Sequence, residues 1–114
     1  MRTIYKICPA SAWREAERQG VYRGSPDDAR DGFIHFSTAG QVRETAAKHF
    51  AGAEDLMLVA VDADALDGAL KWEASRGGDL FPHLYGALPF AAVLWATPLP
   101  LGADQRHVFP ELVP

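Results

Sequence analysis

The sequence predicts a single α+β domain, spanning residues 1–114, with two main helices and a mixed or antiparallel sheet. The chain has 114 residues, of which 48% are hydrophobic and 23% charged, and this is enough for one hydrophobic core. Apolar residues recur at helical spacing in two segments, both in the first half of the chain. The second half contains short apolar runs separated by turn residues, which indicate strands. Helices followed mainly by strands are typical of the α+β class.

The first half begins with a strand and a helix. Residues 3–8 are rich in β-branched and aromatic side chains and predict a strand. Residues 11–19 place their apolar side chains on one face and predict a helix that ends at Gly20. Residues 21–23 follow as a short extended piece. Residues 24–32 contain Ser-Pro-Asp-Asp, which predicts a loop.

A polar strand followed by a helix is predicted in the middle of the chain. Residues 33–37 indicate a short strand, in which alternation places His35 and Ser37 on the same face. Thr38 is predicted to be the N-cap of a helix over residues 38–50. Such a junction offers free backbone N–H groups and a positive dipole end to an oxygen-rich ligand.

The second half is predicted to be mainly strands. Residues 56–61 form a nearly continuous apolar run, which is typical of a strand buried on both faces. Residues 93–95 are expected to be equally central and protected. One helical turn is predicted at residues 62–66, and an edge strand at residues 107–109. The remaining strands are expected at residues 70–74, 81–85 and 93–97.

Charge and cysteine content restrict the classes of function. The net charge is −4 and the pI is about 5.4, which disfavours a nucleic-acid partner because the phosphate backbone would be repelled. A single cysteine, Cys8, excludes an internal disulfide and a metal site made of cysteines alone. We see no apolar segment long enough to span a bilayer and no apolar signal core, so we expect a cytoplasmic protein without a membrane partner.

Five polar side chains are predicted to lie on apolar strands and to converge on one site: His35, Ser37, Glu73, His83 and Tyr85. Burial of several such groups is costly unless they pair with one another or meet a ligand. Each also has a purely structural interpretation. A histidine can bond a backbone carbonyl, a serine can cap a helix, a glutamate can face solvent and a tyrosine can pack in a turn.

Known catalytic motifs narrow the choice of chemistry. The Gly-x-Ser-x-Gly nucleophile elbow, the Walker loop and the dinucleotide glycine fingerprint do not occur in the sequence. Two histidines with Glu73 could bind zinc, but they lack a helical His-x-x-x-His spacing and are distant in sequence. We therefore expect no metal.

Four segments resemble the domain of unknown function 952 family, and the resemblance extends from residue 3 to about residue 99. It is most specific at residues 81–86. The segments are Ile4-Tyr5-Lys6-Ile7, Gly32-Phe33-Ile34-His35-Phe36-Ser37 with Gln41-Val42, Trp72-Glu73, and Phe81-Pro82-His83-Leu84-Tyr85-Gly86.

The resemblance implies the fold of the ADP-ribosyltransferases, a split, mostly antiparallel sheet whose cleft holds NAD in the enzymes. Ser37 and Thr38 resemble the Ser-Thr pair that supports the ribose pocket in that fold. Glu73 is the nearest candidate for the glutamate that those enzymes use in catalysis. Tyr5 and Lys6 occupy the region where such enzymes commonly carry a histidine or arginine.

We therefore expect a cleft for an NAD-like nucleotide, with NAD as the substrate of an ADP-ribosyl transfer. Glu73 and His35 are the expected catalytic residues. The expected ligand-binding residues are Ser37, Thr38, His83, Tyr85 and Tyr22. Two alternatives stay open: a non-catalytic module that binds a small metabolite or a peptide, and a metal-assisted hydrolase that uses His35 and His83.

Overall fold

The computed structural model describes residues 2–114 apart from the side chain of Arg76, and it has the expected α+β class. The α-helices are α1 (Ala10–Gln19), α2 (Pro26–Asp31) and α3 (Val42–His49). The strands are β1 (Thr3–Pro9), β2 (Val21–Tyr22), β3 (Ile34–His35), β4 (Leu56–Asp62), β5 (Leu70–Ala74), β6 (Leu80–Leu84), β7 (Leu88–Pro89) and β8 (Val93–Leu99). Short 3₁₀ helices cover Ala63–Ala69, Arg76–Gly78 and Phe90–Ala92.

The strands form antiparallel sheets that meet at one bridge. One sheet has the order β1-β4-β8 and another the order β3-β6-β5, while β2 and β7 pair separately. Tyr5 of β1 and Ser37, just beyond β3, join the two larger sheets. The N–H of Tyr5 donates to the Ser37 carbonyl at 2.7 Å, and the N–H of Ser37 donates to the Tyr5 carbonyl at 2.9 Å. This junction holds the end of β3 against the first strand of the chain.

Strand β4 is the centre of the core, as its apolar run predicts. Val59 and Val61 pack into the cluster that contains α1, whereas Leu58 and Ala60 pack into the cluster that contains α3. All four side chains are fully buried. Because successive side chains of a strand point to opposite faces, β4 contributes to two apolar clusters, one on each face of the sheet.

Strand β8 is an edge strand, and the expectation that residues 93–95 are central and protected is wrong. It pairs with β4, and no strand of the described chain pairs with its other side. Leu94, which lies at the register shift between β4 and β8, is 41% exposed. An apolar strand with one uncovered face has much the same composition as a central strand, so the sequence did not distinguish them.

Helix α1 follows the prediction closely, and it ends at Gly20. That residue adopts φ of 80°, and its N–H donates to the Ala16 carbonyl. The backbone at this position is left-handed, a conformation that glycine adopts without steric cost.

Helix α2 replaces part of the loop predicted at residues 24–32. Ser25 is the N-cap: its hydroxyl accepts from the N–H of Asp28, whose carboxylate accepts from the N–H of Ser25. Pro26 occupies the first turn, where its missing N–H costs nothing. This reciprocal capping box stabilises a helix of only six residues.

The strand and helix predicted at residues 33–50 are both shorter than expected. Only Ile34–His35 is strand, and α3 begins at Val42 rather than at Thr38. Thr38 is not the N-cap, because residues 38–41 form a turn in which the Thr38 N–H donates to Oε1 of Gln41 at 3.0 Å. The turn uses the N–H group that a helix start at Thr38 would have left free.

The C-terminal tail packs back on β1. The edge strand predicted at residues 107–109 is reduced to a single bridge between Leu101 and His107. The Tyr5 hydroxyl donates to the Val113 carbonyl and accepts from the Val113 N–H, both at 2.9 Å. The helical turn expected at residues 62–66 is present within the 3₁₀ segment Ala63–Ala69.

The helices of the described chain are short. The longest, α1, has ten residues. None of the described helices combines the length and the hydrophobicity needed to cross a membrane.

Candidate functional site

A cavity of about 290 Å³ lies where β1, α2, β3, α3 and β6 meet. His35, Ser37 and His83 all line it. Lys6 of β1 and Asp28 of α2 form the adjacent wall. The cavity therefore lies at the junction of the two larger sheets.

Asp28 is the most heavily bonded residue of the site. Its carboxylate is 2% exposed and lies 2.8 Å from Nζ of Lys6. It also accepts from Nδ1 of His35 at 2.6 Å, from the N–H of His35 at 3.2 Å and from the N–H of Ser25 at 2.9 Å. Burial opposes ionisation of Asp28, but the His35 hydrogen bond and the Lys6 charge outweigh it and hold its pKa below the usual range.

Gly24 allows Asp28 to pack against the backbone. It adopts φ of 104°, and a Cβ built on it would lie 2.9 Å from Cβ of Asp28 and 3.3 Å from Cγ1 of Ile34. A side chain at residue 24 would therefore displace the carboxylate from its partners. Gly24 and the capping box of α2 together fix the position of Asp28.

His35 is held between two carboxylates. Nδ1 contacts Asp28, and Nε2 lies 3.0 Å from Oδ2 of Asp31. A carboxylate only accepts hydrogen bonds, so Nδ1 of His35 donates to Asp28. His35 is thus anchored with an acidic side chain beside each ring nitrogen.

A second histidine–carboxylate pair lies on β5 and β6. Nδ1 of His83 is 2.8 Å from Oε1 of Glu73, and the Tyr85 hydroxyl donates to the same oxygen at 2.7 Å. The hydrogen bonds from His83 and then from Tyr85 lower the pKa of Glu73, and the bond to Glu73 raises the pKa of Tyr85. Glu73 therefore stays a carboxylate well below neutral pH.

Phe33 separates and orients these groups. Its ring stacks on His83 with centroids 4.1 Å apart and contacts Tyr85 at 5.2 Å and His35 at 4.6 Å. The His35 and His83 rings are 5.4 Å apart, edge to face. Aromatic contacts on this scale restrict the rotation of each imidazole.

Ser37 presents its hydroxyl beside α3. Oγ lies 2.9 Å from Oγ1 of Thr45, which in turn donates to the Gln41 carbonyl at 3.2 Å. Because the Thr45 proton is committed to that carbonyl, the Ser37 hydroxyl donates to Thr45 and keeps acceptor capacity.

Comparison with known proteins identifies the family. A model of the family described as "Protein of unknown function (DUF952)" matches residues 7–96, which is most of the chain. The chain belongs to this family. None of the curated proteins is significantly similar to it.

Solved structures of one bacterial protein resemble this DUF952 chain closely. The crystal structure of protein CC0527 from Caulobacter crescentus is 48% identical, covers 93% of both chains and has a TM-score of 0.89. A crystal structure of a double mutant of CC0527 is 47% identical and has the same coverage and TM-score. A solution NMR structure of CC0527 is 49% identical, covers 93% of this chain and 91% of its own, and has a TM-score of 0.83.

The DUF952 structure brings only some of the predicted site residues to the cavity. Glu73 and Tyr85 do not line it but lie behind His83, to which they are hydrogen-bonded. Thr38 does not line it either, because the turn at residues 38–41 directs its polar groups elsewhere. Tyr22 is a core residue that packs against Trp13, with ring centroids 5.8 Å apart.

Three important residues were not predicted: Lys6, Asp28 and Asp31. Asp28 was interpreted as part of a polar loop, although the spacing Ser25 to Asp28 with Pro26 is a helix-start pattern. That pattern could have indicated α2 and the inward direction of Asp28. Lys6 was noted only as lying in the region where related enzymes carry a histidine or arginine, and its ion pair was not predicted because its partner is 22 residues away.

The arrangement favours acid–base and hydrogen-bonding chemistry. Among residues 2–114, apart from the side chain of Arg76, no group of three histidine, cysteine, aspartate or glutamate residues is arranged to hold a metal ion. His35 has a carboxylate beside each ring nitrogen. His83 has a carboxylate partner on Nδ1.

Proposed function

We propose that the cavity binds the nicotinamide–ribose end of an NAD-class nucleotide and that the protein transfers or hydrolyses the ADP-ribosyl group. One observation carries the proposal: His35, Ser37 and His83 line one cavity, although they come from separate segments of the chain. A ribose offers several hydroxyl groups, and these three side chains offer both donors and acceptors to it.

The size and charge of the cavity support a partial nucleotide fit. Its volume of about 290 Å³ is near the lower end of small-molecule sites, so it would hold one half of a dinucleotide with the other half outside. The lining contains three carboxylates, those of Asp27, Asp28 and Asp31, and two fixed cations, those of Lys6 and Arg30, so the carboxylates are in excess by one. Negative charge stabilises the cation that develops at the anomeric carbon when the bond to nicotinamide breaks.

The sheet arrangement supports the finer fold assignment that we propose, an ADP-ribosylation-like fold. Two antiparallel sheets meet at the Tyr5–Ser37 bridge, and the cavity lies beside this junction. The resemblance of the Ser37 region to the ribose-side motif of that fold points to the same place. Since NAD is an intracellular metabolite, the proposal also implies a cytoplasmic protein.

Calorimetry and a nicotinamide-release assay test the proposal. We expect NAD to bind the purified chain and to be converted to nicotinamide and an ADP-ribosyl product. Inorganic phosphate and free nicotinamide are the controls for binding by one part of the ligand alone. Absence of binding by NAD, ADP-ribose and nicotinamide mononucleotide would falsify the proposal.

A non-catalytic binding module is the second candidate, and the state of His35 favours it. Nδ1 of His35 is hydrogen-bonded to Asp28 and Nε2 lies 3.0 Å from Asp31, which is an arrangement that anchors a ring rather than frees it for proton transfer. In this case NAD or a related metabolite would bind and be recovered unchanged. The same assay distinguishes the two candidates, because only the enzyme releases nicotinamide.

A further inference from the structure

We propose that His83 is the base that activates the acceptor, that Glu73 and Tyr85 are its positioning residues, and that the acceptor is an O–H compound, either water or an alcohol. This inference rests on the proposed function, because it concerns the second substrate of the same cavity. It assigns Glu73 a role through His83 rather than on the nucleotide itself.

The hydrogen bonds of His83 fix its tautomer. Oε1 of Glu73 belongs to a carboxylate and accepts from both Nδ1 of His83 and the Tyr85 hydroxyl. The neutral ring must therefore carry its proton on Nδ1, which leaves a lone pair on Nε2. An imidazole held in this way by a carboxylate has the arrangement of a general base.

No group of the described chain donates a hydrogen bond to the lone pair on Nε2. No hydrogen-bond partner for this nitrogen exists in the described part of the chain, although the side chain is almost wholly buried. Among the described residues, two polar side-chain atoms are both inaccessible to solvent and without a hydrogen-bond partner: Oγ1 of Thr3 and the Tyr22 hydroxyl. Because Nε2 is not one of them, solvent reaches it.

Nε2 of His83 is accessible to solvent through the cavity. His83 lines the cavity, whereas Glu73, which binds the Nδ1 side of the ring, and Phe33, which covers one ring face, do not. The edge that carries Nε2 is therefore the part of the ring directed at a ligand. A ligand O–H at this position would satisfy the nitrogen.

His83 rather than His35 takes this role because of the charges around each ring. His35 has a carboxylate beside each ring nitrogen, Asp28 at 2.6 Å from Nδ1 and Asp31 at 3.0 Å from Nε2, so neither nitrogen faces a ligand unobstructed. The charged or titratable groups that face His83 from the surrounding elements are Glu73 and Lys71 on β5, Tyr85 after β6 and His35 on β3. Glu73 is the group in hydrogen-bond contact with the ring.

The proposed step balances without a further reagent. The oxygen of water or an alcohol forms a bond to C1′ of the ribose while the bond from C1′ to the nicotinamide nitrogen breaks. The electron pair of that bond stays on the nicotinamide ring, which leaves as a neutral molecule. The O–H proton passes to Nε2 of His83 and then to solvent.

The chemistry of a neutral imidazole selects the acceptor. It can take a proton from an O–H group as the new bond to carbon forms. An arginine acceptor would stay protonated far above the range in which imidazole is a base. The site therefore suits hydrolysis or transfer to a hydroxyl.

The test compares His83→Gln and Glu73→Gln with the parent, and uses His107→Gln as a matched control. His107 lies outside the cavity, where Nε2 bonds the Ala53 carbonyl. We expect Glu73→Gln and His107→Gln to bind NAD with affinities within about twofold of that of the parent, and His83→Gln to lose at most about tenfold, the effect of one ligand hydrogen bond. Nicotinamide release should fall by about 100- to 10,000-fold in His83→Gln, the usual contribution of a general base, and should be unchanged in His107→Gln.

Three further readouts separate a base from a residue that only supports the fold, and a fourth tests the acceptor. The rate of the parent should fall on the acid side, where Nε2 becomes protonated, and that dependence should be absent in His83→Gln. Added imidazole should restore part of the rate of His83→Ala. Nitrogen NMR should show the Nδ1–H tautomer of His83 in the parent and a mixture of tautomers in Glu73→Gln. When methanol is added as the acceptor, the parent should yield the methyl ADP-ribosyl product.

The outcomes distinguish this inference from the proposed function. If the parent cleaves NAD and His83→Gln does so at the same rate, His83 is not the base, although the cavity still binds and cleaves NAD. If methanol and water give no oxygen-linked product while nicotinamide is released, the acceptor assignment is wrong. If the parent does not bind NAD, the proposed function and this inference fail together.

Discussion

The two histidine–carboxylate pairs of this protein are built in opposite ways. In the pair on α2 and β3, the carboxylate of Asp28 is 2% exposed and the ring of His35 is 37% exposed. In the pair on β5 and β6, the ring of His83 is 6% exposed and the carboxylate of Glu73 is 38% exposed. The carboxylate is thus the buried partner in the first pair, and the imidazole is the buried partner in the second.

The difference separates a structural role from a chemical one. The buried Asp28 neutralises the buried Lys6, and loss of either charge leaves the other without compensation. Glu73 loses little solvation, so it can orient a buried histidine without becoming essential to the core. Removal of the first carboxylate should therefore damage stability, whereas removal of the second should damage activity.

The largest effect should come from Asp28→Asn. The substitution keeps the volume of the side chain but leaves Lys6 as an unpaired buried cation, which should lower the free energy of unfolding by about 3–5 kcal/mol. Urea denaturation measures it. Asp27→Asn, one residue earlier and exposed, is the matched control and should change stability by about 0.5 kcal/mol or less. Equal stability of the two variants would show that Asp28 does not have the structural role that distinguishes it from Glu73.

A smaller loss should follow from Gly24→Ala. A Cβ at this residue would lie 2.9 Å from Cβ of Asp28, and φ is 104°, so strain and displacement should cost about 1–3 kcal/mol. Gly32→Ala is the control, because φ is 87° there but nothing lies within 4 Å of the added carbon. Thermal unfolding of both should show a larger loss for Gly24→Ala. The excess measures how strongly the backbone at residue 24 supports Asp28.

The dependence of stability on pH should distinguish the parent from Asp28→Asn. The pKa of Asp28 is lower in the folded protein than in the unfolded chain, so the unfolded chain binds the proton more readily. The stability that Asp28 provides is complete above the unfolded pKa and is lost as the pH falls from about 4 towards the folded value. Urea midpoints between neutral and acidic pH should therefore decline more steeply for the parent, and parallel curves would contradict this.

The smallest effect on stability should come from Glu73→Gln. Its carboxylate is at the surface, and glutamine can still accept from His83 and Tyr85. The melting temperature should stay close to that of the parent while nicotinamide release falls, because the amide is a weaker partner for a protonated His83. A melting temperature that falls as far as that of Asp28→Asn would show that both carboxylates are structural.

The fold was predictable where local sequence and burial agree. The run Leu-Met-Leu-Val-Ala-Val identified β4 because a strand covered on both faces needs apolar residues at successive positions. Leu94 in β8 shows the limit of the same reasoning. Apolar composition alone does not record whether a neighbouring strand is present on each side, and β8 has one neighbour in the described chain.

The site was predictable where alternation applies and not where a distant charge decides. His35, Ser37 and His83 line one cavity, as predicted. Alternation places His35 and Ser37 on one side, and the pairing of His35 with His83 between β3 and β6 brings His83 beside them. Asp28 was missed because its burial depends on Lys6, which is distant in sequence. The position of Glu73 behind His83 depends on the pairing of β5 with β6, which the sequence does not specify residue by residue.

The hydrogen bonds between Tyr5 and Val113 bring the beginning and the end of the described chain side by side. This proximity permits a circular permutation of residues 2–114, in which a short linker joins residues 2 and 114 and new ends are opened elsewhere. The loop around Gly77 and Gly78, between β5 and β6, is a surface turn at which such an opening would leave β1 and α2 continuous. A permutant of this kind would separate Glu73 from His83 along the chain while keeping Lys6, Asp28 and His35 in their original order.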